Sequence, residues 1–268
     1  MQLAIVTGGG SGIGAALVTR LATAEPNLMV VAIGRTNSKL DAMRLSMPEE
    51  ERRRILTVQA DISTAEGVAS IVSSIPASPI KYLVHNAGLL GPISPLADID
   101  RTTWDAIVAT NLSAPLFLTQ ALLPQLKQCV DMDAKKARVL HISSGAAKSA
   151  YCGWGPYCIS KSGLNMMYRC LALELSRENI LVGSLRPGVV DTDMQLPIRE
   201  FAGPEDTFPM KSKFISLHKD GKLESPKNVA WFCHYLLSSV DEEEFIADEF
   251  DIRNEKANEK WLRYQSEG

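Results

Sequence analysis

Short apolar runs alternate with longer amphipathic segments along this chain, and that alternation constrains the fold more than any other feature of the sequence. Six runs are rich in β-branched and aliphatic residues and are typical of buried strands. They are Leu3–Thr7, Leu28–Ile33, Ile55–Gln59, Tyr82–His85, Arg138–Ser143 and Leu181–Leu185. Helices are predicted over Ile13–Ala24, Ser38–Leu45, Ala65–Ile75, Trp104–Lys127 and Tyr157–Glu178. With right-handed crossovers, this order predicts a single-domain Rossmann fold, an α/β doubly wound parallel sheet with helices on both faces.

The chain shows no Gly/Ser linker, internal repeat or low-complexity tract, so its 268 residues predict one large domain. We assign residues 1–254 to that domain, with a last strand near Glu244–Ile252. Residues 255–268 form a C-terminal tail, either a frayed end or a small packing element. Prolines and glycines are frequent between Asp193 and Ser225, and long loops in compact domains are usually lids or binding loops. Residues 193–225 are therefore predicted as a substrate loop, with disorder as the alternative.

Composition and charge argue against several classes of function. A net charge of −3 and a pI near 5.9 give no electrostatic sign of nucleic-acid or anionic-membrane binding. No uninterrupted apolar run reaches the roughly 18 residues that span a bilayer. A strand at the N-terminus leaves no room for a signal peptide. The five cysteines lack metal-ligand spacing and predict reduced, mostly buried thiols in a cytoplasmic protein without a metal site, with a catalytic cysteine as the alternative. They are Cys129, Cys152, Cys158, Cys170 and Cys233.

A glycine-rich turn at residues 8–14 joins the first predicted strand to the first predicted helix. Glycines there let the backbone approach a pyrophosphate, which rests on the N–H groups at the helix start. Any strand–helix turn can be rich in glycine, but this one opens a strand–helix–strand unit. The turn therefore predicts dinucleotide binding through Gly8, Ser11, Gly12, Ile13 and Gly14.

The end of the second predicted strand indicates which dinucleotide is bound. NAD-binding folds usually place an acid there to bond the ribose 2′-hydroxyl. This chain instead has Arg35, and a guanidinium suits a 2′-phosphate by charge and by bidentate hydrogen bonding. NADP(H) is therefore the predicted cofactor, a surface arginine being the alternative. Asp61 and Ile62, after the third strand, are expected near the adenine, unless Asp61 caps the following helix.

Tyr157 and Lys161 stand four residues apart in a predicted helix. Side chains at i and i+4 lie on the same helix face. An ammonium held beside a phenol favours the phenolate and lowers the tyrosine pKa. The pair therefore predicts a proton-exchanging site that works near neutral pH.

Further motifs follow in a fixed order along the chain. An Asn-Ala-Gly sequence follows the fourth predicted strand, a serine lies 13 residues before Tyr157, and a proline–glycine turn follows the sixth strand. In sequence order these motifs are Asn86-Ala87-Gly88, Asn111, Ser144, and Pro187-Gly188 with Val190 and Thr192. Together with the glycine turn and the tyrosine–lysine pair, they resemble the short-chain dehydrogenase/reductase family across the whole chain.

The resemblance implies an enzyme that transfers a hydride from NADPH to the carbonyl carbon of a small-molecule substrate. Tyr157 would donate the proton, Lys161 would lower the tyrosine pKa and hold the nicotinamide ribose, and Ser144 would hydrogen-bond the carbonyl oxygen. Asn111 would hold a water that links Lys161 to solvent. The other matching motif residues would contact the cofactor. A catalytically silent NADP-binding scaffold or sensor is the alternative from another class.

Within the family, several stretches are similar to sepiapterin reductase, which acts on a pterin side-chain carbonyl, and others to related benzil-reducing enzymes. The first likeness implies that Asp251 anchors a pterin ring and that Trp154 and Met194 line the substrate pocket. Packing of Trp154 under the substrate loop is the alternative. A diketone or general ketone reductase without a pterin role stays open. Many relatives are homodimers or tetramers, which implies a homo-oligomer here.

Two positions depart from the family pattern. Ser11 stands where many NADP-using members carry a basic residue, so the NADP prediction depends mainly on Arg35. Ala247 replaces a family glycine near the last strand, so the alignment that selects Asp251 could slip by a residue.

Overall fold

Seven parallel strands form one sheet in the order β3-β2-β1-β4-β5-β6-β7 in the computed structural model, which describes residues 1–133 and 136–267. The strands are β1 (Gln2–Thr7), β2 (Leu28–Gly34), β3 (Ile55–Gln59), β4 (Ile80–His85), β5 (Ala137–Ile142), β6 (Ile180–Arg186) and β7 (Phe250–Asp251). The strand order reverses direction between β1 and β4. The carboxyl ends of these two strands therefore flank the crevice in which doubly wound folds bind their ligands.

Helices cover both faces of this sheet. In chain order the described helices are α1 (Gly12–Ala24), α2 (Asn37–Leu45), α3 (Glu49–Arg52), α4 (Ala65–Ser74), α5 (Arg101–Val108), α6 (Ala114–Asp133), α7 (Gly155–Leu175), α8 (Gln195–Glu200), α9 (Lys211–Lys219), α10 (Pro226–Ser238), α11 (Glu242–Ala247) and α12 (Glu255–Glu267). Leucines of α1 and α10 pack on one face, and leucines of α6 and α7 pack on the other. The predicted doubly wound Rossmann fold is confirmed.

The long helix predicted over Trp104–Lys127 is divided in the structure. A π-helical turn, Ala109–Ser113, separates α5 from α6. Such widened turns occur mostly as single insertions inside α-helices, frequently at functional sites. The turn places Asn111 in the protein interior, with 1% of its surface exposed.

The segment predicted as a substrate loop contains two short helices, α8 and α9. The chain returns to the sheet side through Glu224, whose backbone N–H donates to the Val189 carbonyl at 2.8 Å. The Glu224 carbonyl accepts from the Asp191 N–H at 2.9 Å. These bonds tie the two ends of the segment together, so it forms a lobe over the carboxyl edge of the sheet.

The C-terminal predictions are corrected in part. The last strand, expected near Glu244–Ile252, is only Phe250–Asp251. Residues 242–247 form α11 instead, because Asp241 caps it by accepting from the Glu244 N–H at 2.8 Å. The tail is the helix α12, and its Trp261 packs against Phe232 with ring centroids 5.4 Å apart. The packing element, rather than the frayed end, is the correct alternative.

Among the described residues, one continuous helical stretch, residues 101–129, is long and apolar enough to cross a membrane by length and composition alone. Its inner side, with Leu118, Leu122 and Leu126, belongs to the core under the sheet. The outer sides of α6 and α7 expose apolar side chains. They are Phe117, Ile159, Met166 and Leu173. The homo-oligomer implied by the family resemblance stays a prediction.

None of the five cysteines forms a disulfide in the described part of the chain. Cys129 and Cys233 are buried, Cys158 is half-buried, and Cys152 and Cys170 are exposed. The expectation that the thiols are mostly buried is therefore wrong for two of them. Cys152 and Cys170 lie just before and within α7, where the strand–helix pattern of the sequence did not distinguish an inner from an outer face.

Candidate active site

The glycine turn after β1 has a backbone that side chains would block. Gly8 and Gly12 adopt positive φ values of 69° and 53°, in the left-handed region that favours glycine. A Cβ added to Gly14 would lie 2.1 Å from the Gly8 carbonyl oxygen. Ser11 precedes α1 without a side-chain capping bond, which leaves the first N–H groups of that helix facing the crevice. The turn fits a pyrophosphate, since these donors and the helix dipole favour an anion.

Thr7 and Asn86 fasten the ends of β1 and β4 to each other. The Thr7 hydroxyl accepts from the N–H groups of Asn86 and Ala87 at 3.0 and 3.1 Å. The Asn86 side-chain amide donates to the Thr7 carbonyl at 2.9 Å. These hydrogen bonds fix the backbone at the bottom of the crevice, next to the glycine turn.

One cavity of about 530 Å³ joins the glycine turn to the tyrosine–lysine pair. Most of the predicted site residues line it. These are Gly8, Ser11, Gly12, Ile13, Asn86, Ala87, Gly88, Ser144, Trp154, Tyr157, Lys161, Pro187, Gly188, Val190, Thr192 and Met194. Six predicted residues do not line it, namely Gly14, Arg35, Asp61, Ile62, Asn111 and Asp251. Gly14 supports the turn from within α1, and Asn111 lies behind the cavity wall.

Tyr157 and Lys161 are both buried on the inner side of α7. The Lys161 Nζ donates to the Ile142 carbonyl at 2.8 Å and lies 5.8 Å from the centre of the Tyr157 ring. Burial lowers the pKa of Lys161 to about 8. Burial raises the pKa of Tyr157, and the neighbouring Ser144 hydroxyl only partly opposes that rise. Lys161 Nζ donates to the Ile142 carbonyl in this structure, and the lowering of the tyrosine pKa by Lys161 stays a prediction.

Ser144 lies two residues after the end of β5, and its hydroxyl neighbours the Tyr157 phenol. Its Oγ accepts from the Ala146 N–H at 3.1 Å, which fixes the side chain at the start of a short helical turn. Ser143 also lines the cavity, but its Oγ is buried without a hydrogen-bond partner among the described residues. The structure places Ser144 beside the phenol, as the 13-residue spacing in the sequence predicts.

The Asn111 side chain is already fully hydrogen-bonded. Its Oδ1 accepts from the Leu89 N–H at 2.7 Å, and its Nδ2 donates to the Leu89 carbonyl and the Ser160 hydroxyl at 2.8 and 3.0 Å. A Cβ on Gly88 would lie 3.4 Å from Asn111 Oδ1 and 3.7 Å from Lys161 Nζ. The amide therefore fixes the loop after β4 next to Lys161. The role that the resemblance implies for Asn111, holding a water that links Lys161 to solvent, stays a prediction.

Behind Lys161 the sheet buries two histidines. His85 on β4 and His141 on β5 are register partners with ring centroids 4.8 Å apart. The His85 Nε2 pairs with the Thr119 hydroxyl at 2.8 Å, whereas the nitrogens of His141 have no partner among the described residues. Burial lowers the pKa of His85 to about 3 and that of His141 well below its usual value. Both rings are neutral near pH 7 and add no charge beside Lys161.

The sequence left two roles open for Trp154, lining the substrate pocket and packing under the substrate loop, and the structure shows both. It lines the cavity and also packs against residues 193–225, the predicted substrate loop. Its ring centroid lies 5.3 Å from those of both Phe208 and Phe214. Tyr151 lies on its other side at 5.0 Å and lines the cavity too. Phe214 and Tyr151 were not predicted. Two features of the sequence could have indicated them. Phe214 lies on the apolar side of α9, and Tyr151 is an aromatic residue three positions before Trp154.

Asp251 does not reach the cavity. Its Oδ1 accepts from Arg253 Nε at 2.9 Å, and its Oδ2 accepts from Arg253 Nη2 at 2.8 Å and lies 3.2 Å from Arg186 Nη2. Burial alone would raise the pKa of Asp251, but its bonds to Arg253 and the nearby Arg186 lower it overall. With both oxygens occupied, the predicted pterin anchor has no free acceptor pair, and Arg253 lines the cavity in its place.

Arg35, expected to select NADP, and Asp61 and Ile62, expected near the adenine, do not line the cavity. Arg35 is exposed, and its carbonyl accepts from Gln59 Nε2 at 3.1 Å. Asp61 forms a turn with Ser63, whose hydroxyl donates to it at 2.7 Å, and Ile62 is buried in the core. Lys39, which the sequence analysis missed, lines the cavity and pairs with Asp193 at 2.9 Å. Two cations, Arg35 and Lys39, thus stand near the end of β2.

No group of three or more metal-ligating side chains occurs in the described part of the chain.

Comparison with known proteins agrees with this geometry. The sequence profile described as short chain dehydrogenase matches residues 2–203. Benzil reductase ((S)-benzoin forming) of Bacillus cereus is 34% identical over 250 residues, covering 90% of this chain and 96% of that protein. Sepiapterin reductase of Mus musculus is 30% identical over 234 residues, covering 82% and 85%. A solved metagenomic short-chain oxidoreductase in complex with NADP has a TM-score of 0.69 and 26% identity, covering 92% of this chain and 94% of that chain. With a matching fold, glycine turn and tyrosine–lysine pair, this chain is an oxidoreductase that belongs to the short-chain dehydrogenase/reductase family.

Proposed function

We propose that the protein is an NADPH-dependent reductase of aromatic ketones and 1,2-diketones. The observation that carries the proposal is the single cavity that joins the glycine turn to Ser144 and Tyr157. Its substrate end is walled by aromatic rings of Tyr151, Trp154 and Phe214. Apolar walls with a few convergent polar groups are the usual design of a small-molecule site.

The chain's own residues position and polarise the carbonyl group. Bound NADPH would supply the hydride, and the glycine turn with Asn86 and Thr192 would hold it. The Ser144 hydroxyl neighbours the Tyr157 phenol on the cavity wall, so both could donate to one carbonyl oxygen and stabilise its developing negative charge. The raised pKa of Tyr157 keeps the phenol protonated, as a general acid requires before transfer. Lys161 then offers a nearby cation to the phenolate that remains.

Two observations favour 1,2-diketones over pterins as the substrates of this enzyme. The benzil reductase of Bacillus cereus is the relative with higher identity and coverage than the mouse sepiapterin reductase. Asp251, which would have anchored the pterin, is held by Arg253 and Arg186 outside the cavity. The pterin alternative is supported by the sequence stretches that gave the resemblance and by the 30% identity to the mouse enzyme.

A substrate panel tests the proposed function. Purified protein is incubated with NADPH and, in separate assays, with benzil, sepiapterin and 1-phenylethanone, and the loss of NADPH absorbance is measured. We expect kcat/KM to be highest for benzil and lowest for sepiapterin. Faster turnover of sepiapterin than of benzil would overturn the diketone reading, and no turnover of any ketone would overturn the reductase.

The preference for NADPH is predicted to depend on Arg35 and Lys39. The double variant Arg35→Leu, Lys39→Met should lower the ratio of kcat/KM for NADPH to that for NADH by about 10- to 100-fold, since two charge-assisted bonds to the 2′-phosphate are lost. Steady-state kinetics with each cofactor measures the ratio. Arg53→Gln, an exposed ion-pair variant on the far side of β2, is the control. An unchanged ratio would show that these two cations do not select the cofactor.

A further inference from the structure

Arg253 is the charged side chain at the substrate end of the cavity that the reaction itself does not use. Four cavity-lining residues among those described carry a full charge: Lys39, Lys161, Asp193 and Arg253. Lys39 and Asp193 neutralise each other at 2.9 Å. Lys161 is assigned to the reaction, in which it would stabilise the Tyr157 phenolate. Arg253 is therefore left with no charged partner inside the cavity.

Contacts place Arg253 on the cavity wall next to Gly188 and Tyr151. A Cβ on Gly188 would lie 3.7 Å from Arg253 Cδ, and Gly188 lines the same cavity. The Tyr151 phenol is near enough to contribute, after Asp251, to the raised pKa of Arg253. A Cβ on Gly145, the residue after Ser144, would lie 3.9 Å from the Tyr151 hydroxyl. Tyr151 thus connects Arg253 to the neighbourhood of Ser144.

A row of alternating charges holds the guanidinium in place. The row begins at Lys148, whose Nζ lies 3.6 Å from the buried Glu249, and Glu249 lies 3.1 Å from Arg186 Nε. Arg186 reaches Asp251 at 3.2 Å, and Asp251 accepts two bonds from Arg253. Three cations against two anions leave a net charge of +1. A guanidinium fixed in this way loses little conformational freedom when it binds a ligand.

One edge of the guanidinium remains available. Nε and Nη2 of Arg253 face Asp251, whereas Nη1 has no hydrogen-bond partner among the described residues. The side chain is 54% exposed and Arg253 lines the cavity, so Nη1 can donate to a ligand bound there. A planar donor edge next to a ketone site matches an oxygen on the carbon that adjoins the ketone.

We infer that Arg253 is a specificity-determining residue that binds a carboxylate adjoining the reacting ketone, so that aryl 2-oxo acids are a substrate class of this enzyme. The inference rests on the proposed reductase function and narrows its substrate. The second carbonyl of a 1,2-diketone would use the same donor edge without the charge. A carboxylate gains the stronger, charge-assisted bond.

Phenylglyoxylate and its methyl ester test the inference, because they share one aryl ketone and differ in charge. Wild-type protein should favour the acid. Arg253→Gln should lower the acid-to-ester ratio of kcat/KM by about 10- to 100-fold, the effect of one hydrogen bond to a charged group. Arg253→Lys should keep part of the ratio, and Asp251→Asn should lower it less because it only frees the guanidinium. Arg101→Gln, at an exposed ion pair on α5, is the control and should leave the ratio unchanged.

A binding measurement separates failure of the inference from failure of the function. Calorimetry with NADP⁺ present gives the Kd of phenylglyoxylate without any need for turnover, and Arg253→Gln should raise it by about 10-fold or more. An unchanged ratio together with an unchanged Kd would overturn the inference while reduction of the ester upheld the reductase. A raised KM for NADPH with an unchanged ratio would overturn it as well, because Arg253 would then contact the cofactor.

Discussion

Tyr157→Phe should lower kcat/KM for ketone reduction by about 10²- to 10⁴-fold, the range for loss of a positioned general acid. The change removes one oxygen from a buried side chain and keeps the ring that packs against Trp154 at 6.0 Å. The fold and the glycine turn should therefore be unaffected. Because the phenol donates its proton only as charge develops on the substrate, the loss should appear mainly in kcat.

Tyr168→Phe is a matched control for that experiment. Tyr168 lies on the same helix, is 2% exposed and belongs to the core under the sheet, away from the cavity. Its variant should keep wild-type kinetics. NADPH binding, followed by fluorescence, should be within about tenfold of wild type for Tyr157→Phe, since one hydrogen bond at most is lost. Near-normal turnover by Tyr157→Phe would mean that another group delivers the proton.

The parts of the site that could be predicted from the sequence are those set by strand ends. Parallel strands bring their carboxyl ends to one edge, so residues just after β1, β4, β5 and β6 meet there whatever the side chains between them. This is why Gly8, Asn86, Ser144 and Gly188 line one cavity as the motifs predict. The doubly wound sheet was predictable for the same reason.

Other parts depended on pairings that no local pattern encodes. Nothing in the sequence indicated that the Asp251 carboxylate has a partner. Because β7 is only two residues long, the chain turns immediately after it, and Arg253 contacts that carboxylate. The apolar run Phe245-Ile246-Ala247 suits a strand or a short helix equally, and only the preceding Asp241 indicated the helix. Lys39 is a helix-surface lysine by pattern, and only the return of Asp193 from β6 shows that it borders the cavity.

Lys161→Met should separate activity from stability more sharply than any other change in this chain. Ketone reduction should fall by about 10²- to 10³-fold, because the cation that stabilises the developing phenolate is lost. The folded protein should nevertheless lose no stability. Burial lowers the pKa of Lys161 from 10.5 to about 8, with Glu249 only partly opposing the shift. Keeping the ammonium charged near pH 7 therefore costs about 3 kcal/mol.

Methionine fills the same space without the charge. It leaves the Ile142 carbonyl without its 2.8 Å donor, a loss of about 1–3 kcal/mol. The gain from removing the charge matches or exceeds the loss of the hydrogen bond. The free energy of unfolding near pH 7 should therefore equal that of wild type or rise by up to about 2 kcal/mol.

The sign of the pH dependence provides the decisive measurement. The unfolded chain keeps the lysine proton up to about pH 10.5 and the folded protein releases it near pH 8, so the unfolded state binds more protons between these values. Between about pH 8 and about pH 10.5, the free energy of unfolding of the wild type should therefore rise relative to that of Lys161→Met. The rise should be up to about 1.4 kcal/mol per pH unit. Urea unfolding of both proteins from pH 7 to 10 measures the difference, in which shifts from tyrosines and cysteines cancel, and Lys260→Met at an exposed ion pair is the control. A difference that stays constant with pH would mean that Lys161 is not held as a desolvated cation, and the explanation of how it assists Tyr157 would fail with it.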